Sequence, residues 1–209
     1  MLIQLKDGYW TKSNMANYHD IKYNVDYGGN AGSLFLLSTF TSDGSDATAS
    51  FTSSIDSTYK EYLFIFTNIH PESNDISFSF QANASGGSGY NETITSTSFF
   101  SYHREDDVYG LSYATGGDQA QGTSFQNISD SIGNANDEAV SGWLRIFHPS
   151  DTTFVKHFMS CAIANMHSEG AYQTFRQGYI NTTSAIDEVQ FKFSSGEIQG
   201  GKIQMFGVL

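Results

Sequence analysis

Apolar residues recur at every second position along most of this chain, and short clusters of Gly, Ser, Asn and Asp interrupt the pattern. A two-residue repeat is the side-chain period of a strand, so it excludes a helical protein before any motif is considered. Ile76-Ser-Phe78-Ser-Phe80 alternates cleanly, and its serines are expected to face water. Leu63, Ile65 and Ile69 share one parity while Phe64 and Phe66 take the other, which reads as a strand covered on both sides. Trp143, Arg145 and Phe147 alternate with Leu144 and Ile146; Trp143 is read as core. Phe154 to Ile163 follows the Pro149-Ser150-Asp151 turn, and the Ser85–Gly89 cluster separates another pair of strands. Ile186–Phe193 and Lys202–Val208 read as a closing hairpin around Ser194–Gly196 and Gly200-Gly201.

About ten to twelve short strands fit this punctuation, with helix in under roughly a tenth of residues. The expected fold class is all-β: an antiparallel β-sandwich of jelly-roll type with an N-terminal arm. Residues 1–32 read as that arm or docking segment, mixing Tyr18, Tyr23 and Tyr27 with polar residues, and 33–209 as the sandwich domain. Phe64, Phe66, Phe78, Phe80, Leu144, Ile146, Phe191, Ile203 and Met205 are the expected core. His70-Pro71 and His148-Pro149 each sit between two strands, and a shared corner would fit two Greek-key halves.

Charge narrows the function classes. Ten Lys and Arg stand against 22 Asp and Glu, a formal net charge of −12, so a phosphate backbone would be repelled and nucleic acid is excluded as a partner. No stretch approaches the roughly 20 apolar residues of a membrane helix. Met1–Leu5 is too short for a secretory signal, so synthesis in a cytoplasm is expected. Cys161 is the lone cysteine and permits no internal disulfide.

The chemistry-bearing residues form no motif. The six histidines include no HExxH, and no GxSxG elbow or P-loop frame occurs. Glu105-Asp106-Asp107 with Asp118, and Asp43 with Asp46, supply the hard oxygens calcium prefers, but acid runs are more often solvated loops. No catalytic, cofactor or metal residue is therefore assigned, and no cofactor is expected. Loops 85–90, 109–117 and 168–179, rich in Gly and Tyr, are the expected contact segments.

The segment Ile186-Asp-Glu-Val-Gln-Phe-Lys-Phe-Ser-Ser-Gly-Glu-Ile-Gln-Gly-Gly-Lys-Ile-Gln-Met-Phe-Gly-Val208 resembles the closing hairpin of jelly-roll structural proteins of tailed phages and marine viruses. Tyr59 to Pro71 and Gly142 to Pro149 are similar to earlier stretches of the same group. The resemblance implies a non-enzymatic virion protein: a tail fibre, tail appendage or capsid decoration. It implies other virion proteins as partners, a homo-oligomer with a trimer favoured, and host surface glycan as a further ligand. The alternative is a carbohydrate-binding module or glycan-degrading enzyme on a β-sandwich.

Overall fold

The computed structural model describes residues 34–209, so the expected arm over 1–32 lies outside the described residues. Among the described residues there is no helix, and none long and apolar enough to cross a membrane. Thirteen strands follow in order: β1 (Leu34–Thr41), β2 (Ala49–Phe51), β3 (Glu61–Pro71), β4 (Ile76–Ala84), β5 (Ile94–Arg104), β6 (Tyr109–Tyr113), β7 (Ala120–Gly122), β8 (Gln126–Ile132), β9 (Val140–Phe147), β10 (Lys156–Met166), β11 (Gly170–Ile180), β12 (Ile186–Phe193) and β13 (Ile198–Val208).

All belong to one antiparallel sheet whose main path runs β1-β13-β3-β9-β10-β8-β4-β12-β2. A branch leaves β10 through β11 to β5, which carries β6 and β7 on its far edge. The branch joins β10 along the whole length of β11, whereas on the main path β10 meets β8 at the single pair Met166↔Ile132. The sheet curls until it is nearly closed into a barrel. An isolated bridge, Asp46↔Ile198, ties the link between β1 and β2 to β13.

Curling brings β3 and β10 face to face with β2, β4 and β12. Phe64 meets Phe51 at 5.2 Å between ring centroids and Phe191 at 5.4 Å, Phe66 meets Phe78 at 5.4 Å, and Phe80 meets Phe158 at 5.1 Å. All nine expected core residues are buried in this cluster. Burying each such ring contributes about 2–3 kcal/mol, which sets the period-two strands in register against one another.

Several local readings are corrected. β12 and β13 are not a hairpin: β12 pairs with β4 and β2, while β13 pairs with β3, and the chain crosses the barrel between them. The Gly200-Gly201 pair is not a turn but a break in the β13 ladder, where register shifts on both sides of Gly200. Gly201 has φ +100°, and a Cβ there would stand 2.4 Å from the Asn68 carbonyl oxygen, so only glycine fits the bulge. The two His-Pro sites also differ. Pro71 stays in β3 opposite Ile198, and the chain then crosses to β4, whereas His148-Pro149 follows β9 in a connection to its own partner, β10. Ser79 is buried rather than wet, because its hydroxyl donates to Asn127 Oδ1 at 2.8 Å.

Candidate functional site: an apolar row on the outer face

Leu144 and Ile146 point inward, so strand geometry turns Trp143, Arg145 and Phe147 outward. Trp143 is therefore not core. It lies in a lateral row that the ladder registers carry across the outside of the sheet: Ile65 beside Trp143, then Cys161, Phe175, Phe99 and Tyr113. Leu63, Ile65, Trp143, Arg145, Phe147 and Met159 line a depression of about 450 Å³ at one end of it. The row ends at β6, where Tyr109, Leu111 and Tyr113 are 73%, 76% and 50% exposed.

One face of several rings in the row is already covered. Phe99 and Phe175 stack at 4.9 Å and 18°. The Arg145 guanidinium lies 5.7 Å from the Trp143 ring and is held by Glu61 at 2.9 Å. Pyranose rings bind by stacking their C–H faces on open aromatic faces, whereas a packed protein surface also accepts ring edges and aliphatic side chains. Ile65, Trp143, Cys161 and Phe175 are half-buried and Phe99 and Tyr113 exposed, so the row leaves across six strands an apolar surface of the kind that marks an interaction site.

A second concavity is polar. Where one end of β3, β9, β10 and β11 meets β5, a groove of about 760 Å³ is lined by residues including His70, Arg104, Glu105, Asp137, Glu138 and Glu169. Much of its polar lining is internally engaged. His70 Nδ1 lies 2.6 Å from the Glu138 carbonyl oxygen, the Glu138 carboxylate accepts the Ala135 N–H at 2.6 Å, and Arg104 donates to Asp106 at 2.8 Å. The groove has the donors and carboxylates to hold a polar ligand such as a glycan.

Of the expected contact loops, 109–117 and 168–179 are largely strand: β6 forms one side of β5 and β11 the other. They converge on the apolar row and the groove. The 85–90 turn belongs to the opposite end, where the Ser85 N–H donates to the Ala185 carbonyl at 2.7 Å. The acids weighed for calcium are separately engaged. Asp107 pairs with His103 at 3.1 Å, Asp118 accepts from the Tyr113 hydroxyl at 2.6 Å, and Asp43 accepts from Ser45. Hydrogen bonds from Ser45 hold the Asp43 carboxyl below its usual range. Among the described residues no group of three or more His, Cys, Asp or Glu stands together as a metal would need.

Sequence reasoning missed a buried ion pair. Arg176 projects inward from β11, is fully buried, and donates through Nη2 to Asp130 of β8. Asp130 also accepts from Ser77 and Asn127 at 3.0 and 2.9 Å. The backbone of Gly117 lies directly on the guanidinium, since a Cβ there would come 2.1 Å from Nη1. Burial, and secondarily Asp130, pushes the nearby Tyr172 hydroxyl up to about 12. No motif signals this pair, because nothing in Tyr172–Arg176 says which parity faces in.

Comparison of the chain with protein-family models, curated proteins and solved structures finds no match.

Proposed function

We propose that this protein is a non-enzymatic virion structural protein, a tail fibre, tail appendage or capsid decoration, that works by assembly and surface display. The observation that carries the reading is the apolar row from Ile65 to Tyr113, which runs across six strands with Phe99 and Phe175 stacked on each other. Such a surface contacts protein and plays no part in chemistry. The sequence likeness of Ile186–Val208 to phage structural proteins supplies the setting, although these two strands pair with β4 and β3 and not with each other as the hairpin of that likeness would. The curled sheet is read as a jelly-roll variant, since the chain crosses between opposed walls from β3 to β4 and from β12 to β13, as Greek keys do. The partners are then other virion proteins and further copies of the chain, with host adhesion as an extension of display.

A second reading, glycan binding or cleavage, draws on the polar groove beside Arg104 and Glu138. One pair of assays separates the two. Purified particles are analysed for the chain, and purified protein is incubated with host surface polysaccharide. Presence in particles without oligosaccharide release is expected. Released oligosaccharide contradicts the non-enzymatic reading, and absence from particles contradicts the structural one.

A further inference from the structure

We infer that β6 is a self-pairing edge through which two copies of the chain join their sheets about a two-fold axis. The inference rests on reading the outer row as a protein contact surface, and it names the occupant at the β6 end. Among the described strands β6 pairs only with β5, which leaves its other edge open. The hydrogen bonds flanking the hairpin fix which backbone groups face outward. Arg104 N–H donates to the Val108 carbonyl, and Ala114 N–H donates to the Ser98 carbonyl. Even-numbered residues of β6 therefore face β5, and the N–H and C=O groups of Tyr109, Leu111 and Tyr113 point away from it.

The strand reads Tyr109-Gly-Leu111-Ser-Tyr113, nearly the same in both directions. An antiparallel pair centred on Leu111 sets Leu111 opposite Leu111 and Tyr109 opposite Tyr113. Only outward-facing residues then meet, so each pair can exchange N–H and C=O as a ladder requires. Gly110 comes opposite Ser112, which keeps the bulk on the outer face, where the aromatic row of one copy runs into that of the other. A two-fold interface needs self-complementarity of this kind.

The edge also lacks the devices that keep edges apart. Tyr109–Tyr113 has no charge and no proline, and no bulge interrupts its ladder with β5. In this register Glu105–Asp107 fall opposite Thr115–Gly117, so acid does not meet acid. Five residues bury less than the roughly 800 Å² per partner of a standard interface, so the pairing is concentration-dependent. The symmetry it builds is even, in place of the trimer that the resemblance favours.

Sedimentation equilibrium of the full chain from one to a few hundred micromolar, with hydrogen exchange at the two ends of that range, tests this. A reversible monomer–dimer equilibrium is expected, with exchange at Tyr109, Leu111 and Tyr113 slowing at least threefold at the high concentration. Leu111→Pro, which removes an outward N–H, and Leu111→Lys should both weaken dimerisation tenfold or more while the far-UV spectrum and thermal midpoint of Leu111→Lys stay unchanged. A chain that stays monomeric throughout, an oligomer that survives both substitutions, or a dimer that leaves those three amides unaffected would overturn the inference. A strictly monomeric chain that still enters particles would overturn self-pairing alone and leave the assembly reading standing.

Discussion

Strands β3 and β9 are apolar on both faces, and the two faces do different things. Inward, Phe64, Phe66, Leu144 and Ile146 are almost completely buried and lock into Phe51, Phe78 and Phe191 across the barrel. Outward, Ile65, Trp143 and Phe147 lie on a surface that nothing in the described chain covers with a second layer. The inner set has already contributed its burial to folding. The outer set retains its hydrophobic free energy until a partner removes it from water. Apolar character alone therefore does not identify core, and the partner surface is written in the same alphabet as the interior.

The largest test of the difference is Phe191→Ala. Phe191 contacts four other phenylalanine rings, and its removal should cost about 3–5 kcal/mol, read as a lower urea midpoint at constant slope. Next is Arg176→Ala, which deletes one partner of a buried pair. Asp130 keeps 24% of its side-chain surface in water, so the loss belongs at the lower end of the buried-pair range, about 3 kcal/mol. Arg176→Met should recover part of it by filling the space.

Alkaline titration probes two separate hydroxyls, Tyr172 beside Asp130 and Arg176 and Tyr90 beside Glu188. Burial holds the Tyr172 and Tyr90 hydroxyls up near 12, against 10 for an unfolded chain. The folded state keeps protons that the unfolded chain gives up. Their stabilisation is therefore full below pH 10 and is lost as pH rises from 10 through 12. Absorbance at 295 nm should show a late-ionising subset of tyrosines, and unfolding should release them together. The smallest effect is expected from Trp143→Thr on the outer face, under about 1 kcal/mol in the isolated protein. A cost of several kcal/mol there would erase the distinction between the faces.

Alternation made the aromatic half of the barrel legible, because Phe64, Phe78 and Phe191 recur at period two and a barrel wall buries one parity. The same rule misplaced Ser79 and was silent on Arg176, since small polar residues read as wet until a specific partner, Asn127 or Asp130, is brought to them by a strand far away in sequence. Gly200-Gly201 looked like a turn because a bulge and a turn both need positive φ. The hydrophobicity of Trp143 reads as core, but hydrophobicity alone does not say which of two apolar faces points in. The row itself is invisible for a topological reason: Trp143, Cys161, Phe175 and Phe99 become neighbours only through three separate strand pairings.

Cys161 sits in the middle of that row, half-buried, with Trp143 on one side and Phe175 on the other. As the only cysteine it reports on the surface without any substitution. The decisive measurement is its alkylation rate by a small maleimide in the isolated protein and in purified particles that contain it. If the outer row is an assembly surface, the thiol reacts in the isolated chain and is protected at least tenfold in the particle. Equal rates in the two states would contradict the account.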